Sequence, residues 1–253
     1  MRLSGQTAIV TGAARSIGAS IAKRFAREGA KVAIVDVANP ELAEQVVAEI
    51  VQAGGEAMFV RADVSRRADV EAMVQAVASR FGPVDILVNN AGIDPRKNWL
   101  EITEEDWDHI MGVNVRSQFL CSQAVFPYMK ERGRGKIVNV SSVTFLTGQR
   151  NLLHYVSSKG AVIGFTRALA REVGAHGITV NCLMPGAVLT ETELARFSEA
   201  ELAASATMLA AAQCFSRREN AYDLEGAFVF LASEDSDFIT GQTLNVDGGW
   251  MFH

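Results

Sequence analysis

Tyr155 and Lys159 stand four residues apart in Tyr155-Val156-Ser157-Ser158-Lys159, so on a helix they share one face and can reach one cleft. A phenol is a poor base at neutral pH because its ordinary pKa is about 10. An ammonium beside it favours the phenolate and lowers that value, and such a pair can take a proton from an alcohol. The same spacing is common on solvated helix faces, so the surrounding sequence must decide. His154 adjoins Tyr155, but neighbours along a helix point apart, which makes it a rim residue in this reading. His109, His176 and His253 show no ligand spacing, and no metal is expected. Cys121, Cys182 and Cys214 include no Cys-x-x-Cys pair and read as reduced core thiols.

A second cluster lies near the start. Thr11-Gly12-Ala13-Ala14-Arg15-Ser16-Ile17-Gly18 follows an apolar run and opens a helical pattern, whose free N–H groups and dipole can hold a pyrophosphate. Gly12 permits the turn and Gly18 permits close helix packing. Asp36 lies eighteen residues past Gly18, where a carboxylate can accept hydrogen bonds from the ribose hydroxyls of an adenosine. The alternative is a helix-capping Asp, although Asn39 and Pro40 are there to start that helix.

The elements that must position these residues follow from periodicity. Short β-branched runs at 7–10, 31–35, 57–61, 84–88, 136–140, 178–182 and 243–246 predict strands. Between them, helical patterns cover 17–28, 41–53, 68–81, 105–131, 155–175 and 221–232. This βαβα order, with strands apolar along most of their length, predicts an α/β fold: a doubly wound parallel sheet of Rossmann type with about seven strands and helices on both faces. Ligands then sit beyond the carboxyl ends of the strands. One domain, 1–253, is expected, with a lid at about 187–212 where the alternation lapses.

The turn resembles the Thr-Gly-x-x-x-Gly-x-Gly fingerprint of the short-chain dehydrogenase/reductase family, with Ser16 in place of the middle glycine. Ser is a good cap, and its hydroxyl can bond a phosphate oxygen. The resemblance continues in Asp63-Val64, like the family's adenine-contacting pair, and in Asn89-Asn90-Ala91-Gly92, like its Asn-Asn-Ala-Gly signature. It implies a catalytic set of Asn114, Ser142, Tyr155 and Lys159, with Ser141 the rival of Ser142. In that family the counterpart of Asn114 holds a water bridging to the lysine; read from the sequence alone, Asn114 is a polar residue at a helix kink. Pro185-Gly186, Val188 and Thr190 resemble the stretch that grips the nicotinamide carboxamide. The implied dinucleotide contacts are therefore Gly12, Arg15, Ser16, Ile17, Gly18, Asp36, Asp63, Val64, Asn90, Ala91, Gly92, Tyr155, Lys159, Pro185, Gly186, Val188 and Thr190. Arg15 could pair with the 2′-phosphate of NADP, whereas Asp36 would repel it. Asp36 sits at the ribose itself, so NAD is the expected cofactor and NADP the lesser one.

Two kinds of family member share this look: secondary alcohol dehydrogenases and 3-oxoacyl-carrier-protein reductases. Asp36 weighs against the second, as does His176, which stands where such reductases carry a basic docking residue. Phe145, Leu146, Leu152, Leu153, Met184, Leu194, Phe197 and Met208 are pocket candidates, and their apolar character favours a hydrophobic alcohol or ketone, though they could equally be core. A catalytically silent nucleotide-binding protein is the third reading, opposed by the intact catalytic set. The formal charge of -5 and scattered basic residues disfavour a nucleic-acid partner. No uncharged apolar stretch reaches membrane-spanning length and no signal peptide opens the chain, so a cytoplasmic protein with no membrane partner is expected. The resemblance implies a homotetramer built on the two long helices and the last strand.

Overall fold

A computed structural model describes residues 1–252; His253 lies outside the described residues. Seven strands form one parallel sheet in the order β3-β2-β1-β4-β5-β6-β7: β1 Thr7–Thr11, β2 Lys31–Asp36, β3 Glu56–Arg61, β4 Ile86–Asn89, β5 Gly135–Val140, β6 Ile178–Pro185 and β7 Thr243–Val246. The order reverses between β1 and β4, and such a switch opens a crevice at the strands' carboxyl ends. In β1, β4, β5 and β6 every residue is buried, which explains their continuous apolar runs.

Alternate residues feed two cores. Ala8, Val10, Val32, Ile34, Ile86 and Val88 face α1 (Ser16–Arg27), α2 (Pro40–Gln52) and α10 (Ala221–Ala232), among the fully buried Phe25 and Phe228. Ile9, Ala33, Val35, Leu87, Ile137 and Val180 face α3 (Arg67–Phe81), α5 (Ser117–Arg132) and α7 (Leu153–Val173). Truncating either buried phenylalanine to Ala would cost about 3–5 kcal/mol, a large share of the roughly 5–15 kcal/mol by which a domain is stable.

The helix expected over 105–131 is two helices. α4 (Glu104–Met111) is started by a capping box of Thr103 and Asp106. A π-helical turn, Gly112–Arg116, then leads into α5. The inserted residue rotates Asn114 inward, where it is fully buried. Helices α6 (Thr144–Thr147), α8 (Glu191–Arg196) and α9 (Glu199–Ala212) complete the set. Among the described residues no helix is long and apolar enough to cross a membrane, and no three His, Cys, Asp or Glu residues group as a metal site.

Candidate active site at the strand ends

Gly12 has φ +62°, a left-handed conformation that glycine adopts without a Cβ penalty. A Cβ there would lie 2.9 Å from the Ala91 Cα, and one on Gly18 would lie 2.2 Å from the Gly12 carbonyl oxygen. Both glycines are thus fixed by close backbone approach. Ser16 takes φ +50° despite its side chain, at a cost glycine would avoid. Its hydroxyl donates to the Glu191 carboxylate on α8, so the residue that departs from the fingerprint ties the turn to the 187–212 segment. Arg15 is exposed beside this contact.

Asp36, at the end of β2, accepts backbone N–H groups from Ala14 (3.3 Å), Ala38 (3.0 Å) and Asn39 (3.3 Å). It braces the glycine turn and shapes the approach to α2, where Asn39 and Pro40 hold the first positions but the Asn39 side chain makes no capping bond. Asp63 closes a turn after β3 by accepting from the N–H and hydroxyl of Ser65 at 2.9 and 2.7 Å, and the Val64 side chain is buried. Asn90 ties β4 to the glycine turn by donating to the Thr11 and Gly12 carbonyls at 2.9 and 3.0 Å. Its partner Asn89 crosses to Asn139 at 2.9 Å, which in turn donates to Thr166.

Asn114, Ser142, Tyr155 and Lys159 converge at the carboxyl ends of β4 and β5. The amide of Asn114 donates to the Ile93 carbonyl (2.9 Å) and Ser158 Oγ (3.0 Å), and its oxygen accepts the Ile93 N–H at 2.8 Å. Asn114 Oδ1 and Lys159 Nζ flank Gly92, 3.3 and 3.5 Å from where its Cβ would stand. Lys159 donates to the Val140 carbonyl at 2.8 Å, and its Nζ lies 5.6 Å from the centre of the Tyr155 ring. Ser141 spends its hydroxyl on the Lys159 carbonyl at 2.8 Å, while Ser142 Oγ accepts from the N–H and hydroxyl of Thr144 at 3.2 and 3.0 Å, on the Tyr155 side of the site.

The sequence predicts a phenol made acidic by Lys159; burial works against that. It pushes Tyr155 up to about 12, with Ser142 pulling the other way, and pushes Lys159 down to about 8. Desolvation penalises the charged form of each, and the ammonium lies over the ring and bonds to a carbonyl rather than to the phenol oxygen.

Beyond β6, Gly186 N–H donates to Val246 at 3.0 Å, and Leu189 N–H donates to the Glu219 carbonyl at 2.8 Å. Val188 buries its side chain in the core, so only its backbone can meet a ligand. The Thr190 hydroxyl caps α8 by accepting from Glu193 N–H at 3.2 Å. The helices of 187–212 are pinned to the body: Arg196 forks onto Asp94 at 2.8 and 3.0 Å, and Arg218 reaches Glu193 at 2.6 Å.

Several residues sit elsewhere than the sequence implied. His154 is fully buried rather than on the rim, with neither ring nitrogen hydrogen-bonded, because the first turn of α7 is covered by α4. Leu152 and Met184 are core; Met184 packs with Val162, Ile163 and Cys182. The Phe145 ring lies over Gly160, Phe197 is half-buried under the Arg96 guanidinium, and Leu153, Leu194 and Met208 are about half exposed. Of the three cysteines, Cys121 and Cys182 are buried and Cys214 is exposed. Ser158, Asp94, Glu191 and Glu219 went unread in the sequence, since each acts through a partner remote in the chain.

A family model described as enoyl-(acyl carrier protein) reductase matches residues 12–251. A 3-oxoacyl-[acyl-carrier-protein] reductase of Staphylococcus aureus is 38% identical over 244 residues, covering 96% of this chain and 97% of its own. A probable galactose dehydrogenase of Rhizobium meliloti is also 38% identical, covering 95% and 93%. Among solved structures, a putative gluconate dehydrogenase from Agrobacterium tumefaciens superposes with a TM-score of 0.92 at 33% identity, covering 98% and 96%. A putative NAD(P)-dependent gluconate 5-dehydrogenase from Beutenbergia cavernae, with NADP bound at low occupancy, gives 0.90 at 37% identity, covering 98% and 97%.

Proposed function

The chain belongs to the short-chain dehydrogenase/reductase family, oxidoreductases acting on CH–OH groups with NAD or NADP, and from that premise we propose that it interconverts a secondary alcohol and a ketone with NAD(H). The observation that carries the reading is the convergence of Ser142, Tyr155 and Lys159 beside Gly92 at the strand ends. The residues fit a dinucleotide. Gly12 and Gly18 let the turn pack tightly at the start of α1, Asp36 stands at the end of β2, and the backbone of 185–190 continues from the end of β6.

When bound, the dinucleotide supplies the hydride acceptor or donor and, oxidised, a positively charged ring. The Tyr155 oxygen exchanges the substrate's hydroxyl proton, and Ser142 orients the reacting oxygen. Lys159 meets the nicotinamide ribose and favours the phenolate. Asn114 keeps the Ile93 backbone and Ser158 in place behind Lys159.

Asp36 supports NAD over NADP: three backbone N–H groups pin its carboxylate, so it cannot swing away from a 2′-phosphate, whereas exposed Arg15 can leave. The carrier-protein reductase reading with NADPH keeps the weight of the Staphylococcus relative and the family description. Against it stands His176, where the resemblance places a basic docking residue; it packs edge-on against Phe126 with centroids 5.4 Å apart. A panel of secondary alcohols and ketones, each run with NAD(H) and NADP(H), tests the proposal. No turnover of any of them with NAD(H) would end it. A homotetramer is part of the proposal, supported by exposed Trp107, Phe119 and Leu153 on α4, α5 and α7; light scattering reads it directly.

The 187–212 segment serves as the lid in this proposal, excluding water and choosing substrates. Phe197→Ala is then expected to reorder the substrate panel by about 1–3 kcal/mol between alcohols differing in a small apolar group, with cofactor affinity unchanged. An unchanged order with lower stability alone would place selection at Phe145 to Leu153.

A further inference from the structure

Glu219 is a buried carboxylic acid that the chemistry above does not use. It is 8% exposed, and neither side-chain oxygen has a hydrogen-bond partner. Its backbone pairs with the strap beyond β6, through a parallel bridge to Val188 and the 2.8 Å bond from Leu189 N–H. Its side chain reaches back under the same strap: a Cβ on Gly186 would stand 2.8 Å from Glu219 Oε2 and 2.8 Å from the Asp247 Cβ. The carboxyl therefore fills the space between Gly186 and the turn after β7.

The charged neighbours are engaged elsewhere. Arg217 forks onto Asp223 at 2.6 Å on both arms, and Arg218 binds Glu193 and the Ala187 carbonyl. Asp247 accepts N–H groups from Gly249, Trp250 and Met251, and the Asn245 amide. A buried carboxyl with no partner costs stability, and side chains retained at such a cost cluster at functional sites.

We propose that Glu219 is a positioning residue for the nicotinamide end of the site, wedged between Gly186 and the Asp247 turn so that the strap from Pro185 to Thr190 is held at a fixed height. The inference rests on the reading that this strap meets the nicotinamide. Burial pushes Glu219 up to about 8, against a lowering contribution from the Gly186 backbone. Asp223 on α10 and Asp247 after β7 add to the rise, and Arg217 opposes it; on the strap, the Gly186 backbone faces the carboxyl. At pH 7 the wedge is a neutral acid. As the pH rises past 8 it becomes an anion facing Asp247, and the strap loosens.

The test is direct binding of NADH and of ADP, which lacks the nicotinamide end, to the full-length protein and its Glu219→Ala and Glu219→Gln variants. At pH 7, Glu219→Ala is expected to weaken NADH about tenfold and leave ADP within about twofold, while Glu219→Gln, neutral and of the same shape, stays near the parent. Between pH 7 and 9.5 the ratio of NADH to ADP affinity falls in both the parent and Glu219→Gln as Lys159 loses its charge. It is expected to fall further in the parent, by the share that belongs to Glu219.

Equal weakening of NADH and ADP in Glu219→Ala, or no weakening of either, overturns the proposal. So does a common pH course for the parent and Glu219→Gln, a comparison that stands even where Glu219→Ala fails to fold. NADH binding no tighter than ADP in the parent would instead remove the nicotinamide reading on which the inference rests.

Discussion

Tyr155→Phe is expected to lower turnover by about a thousandfold or more while NADH binding stays within about twofold of the parent. The change deletes one oxygen, and in the proposed chemistry that oxygen carries the only proton exchanged with substrate. The ring, which lies 5.6 Å from Lys159 Nζ, remains to hold the ammonium in place. Lys159→Ala is expected to lose both turnover and affinity, since the ammonium meets the ribose and supports the phenolate. Single-turnover hydride transfer and NADH titration on the two variants separate these outcomes. Appreciable turnover by Tyr155→Phe would take the phenol out of the reaction, and Ser142 would be the next group to test.

The opposed shifts of the pair add a pH signature. With Lys159 pushed down to about 8 and Tyr155 up to about 12, the unliganded pair holds a neutral phenol beside an ammonium that discharges above pH 8. Oxidation of an alcohol requires the phenolate, so its rate is expected to rise with pH until the ammonium is lost. Ketone reduction, which draws on the neutral phenol, should hold its rate toward lower pH.

The parallel sheet was legible because its strands are buried on both faces and read as apolar runs, and because glycines mark the turn after β1. Tyr155 and Lys159 were legible as types at a set spacing, Asn114 and Ser142 through the family resemblance, and the structure brings the four to one place. What sequence could not supply is direction. A period of 3.6 carries on through 105–131 and does not reveal that one inserted residue opens a π turn to bury Asn114. Adjacency in a helix made His154 a rim residue, but the rim is covered by α4, whose placement depends on a contact far away in the chain. Charge type alone could not show that Lys159 would turn to Val140, nor that Glu219 would lie unpaired under Gly186. Long-range contacts set each of these, and local pattern does not encode them.

Asp36 offers the second large effect, and the structure changes which substitution should be made. Asp36→Ala would remove the charge that repels a 2′-phosphate, but it would also strand the N–H groups of Ala14, Ala38 and Asn39, and a stranded half-buried donor costs about 1–3 kcal/mol. Loss of the turn could then masquerade as loss of NAD preference. Asp36→Asn keeps an oxygen for Ala38 and Asn39, which share Oδ1, and removes the charge at the cost of the 3.3 Å bond from Ala14, which uses Oδ2. A charged acceptor is worth about 1.5–3 kcal/mol in such bonds against about 1 for a neutral one, so NAD should weaken modestly. NADP should strengthen more, because the anion is gone and Arg15 is free to pair with the phosphate. Together the NAD-to-NADP ratio of kcat/KM is expected to fall about a hundredfold, roughly 2.7 kcal/mol. Kinetics with both cofactors on the parent, Asp36→Asn and Asp36→Asn/Arg15→Ala decide it. The double variant should return about half of the shift if Arg15 supplies the new contact. A parent that already prefers NADP would mean that Arg15 outweighs the pinned carboxylate, and would move the assignment toward the carrier-protein reductases.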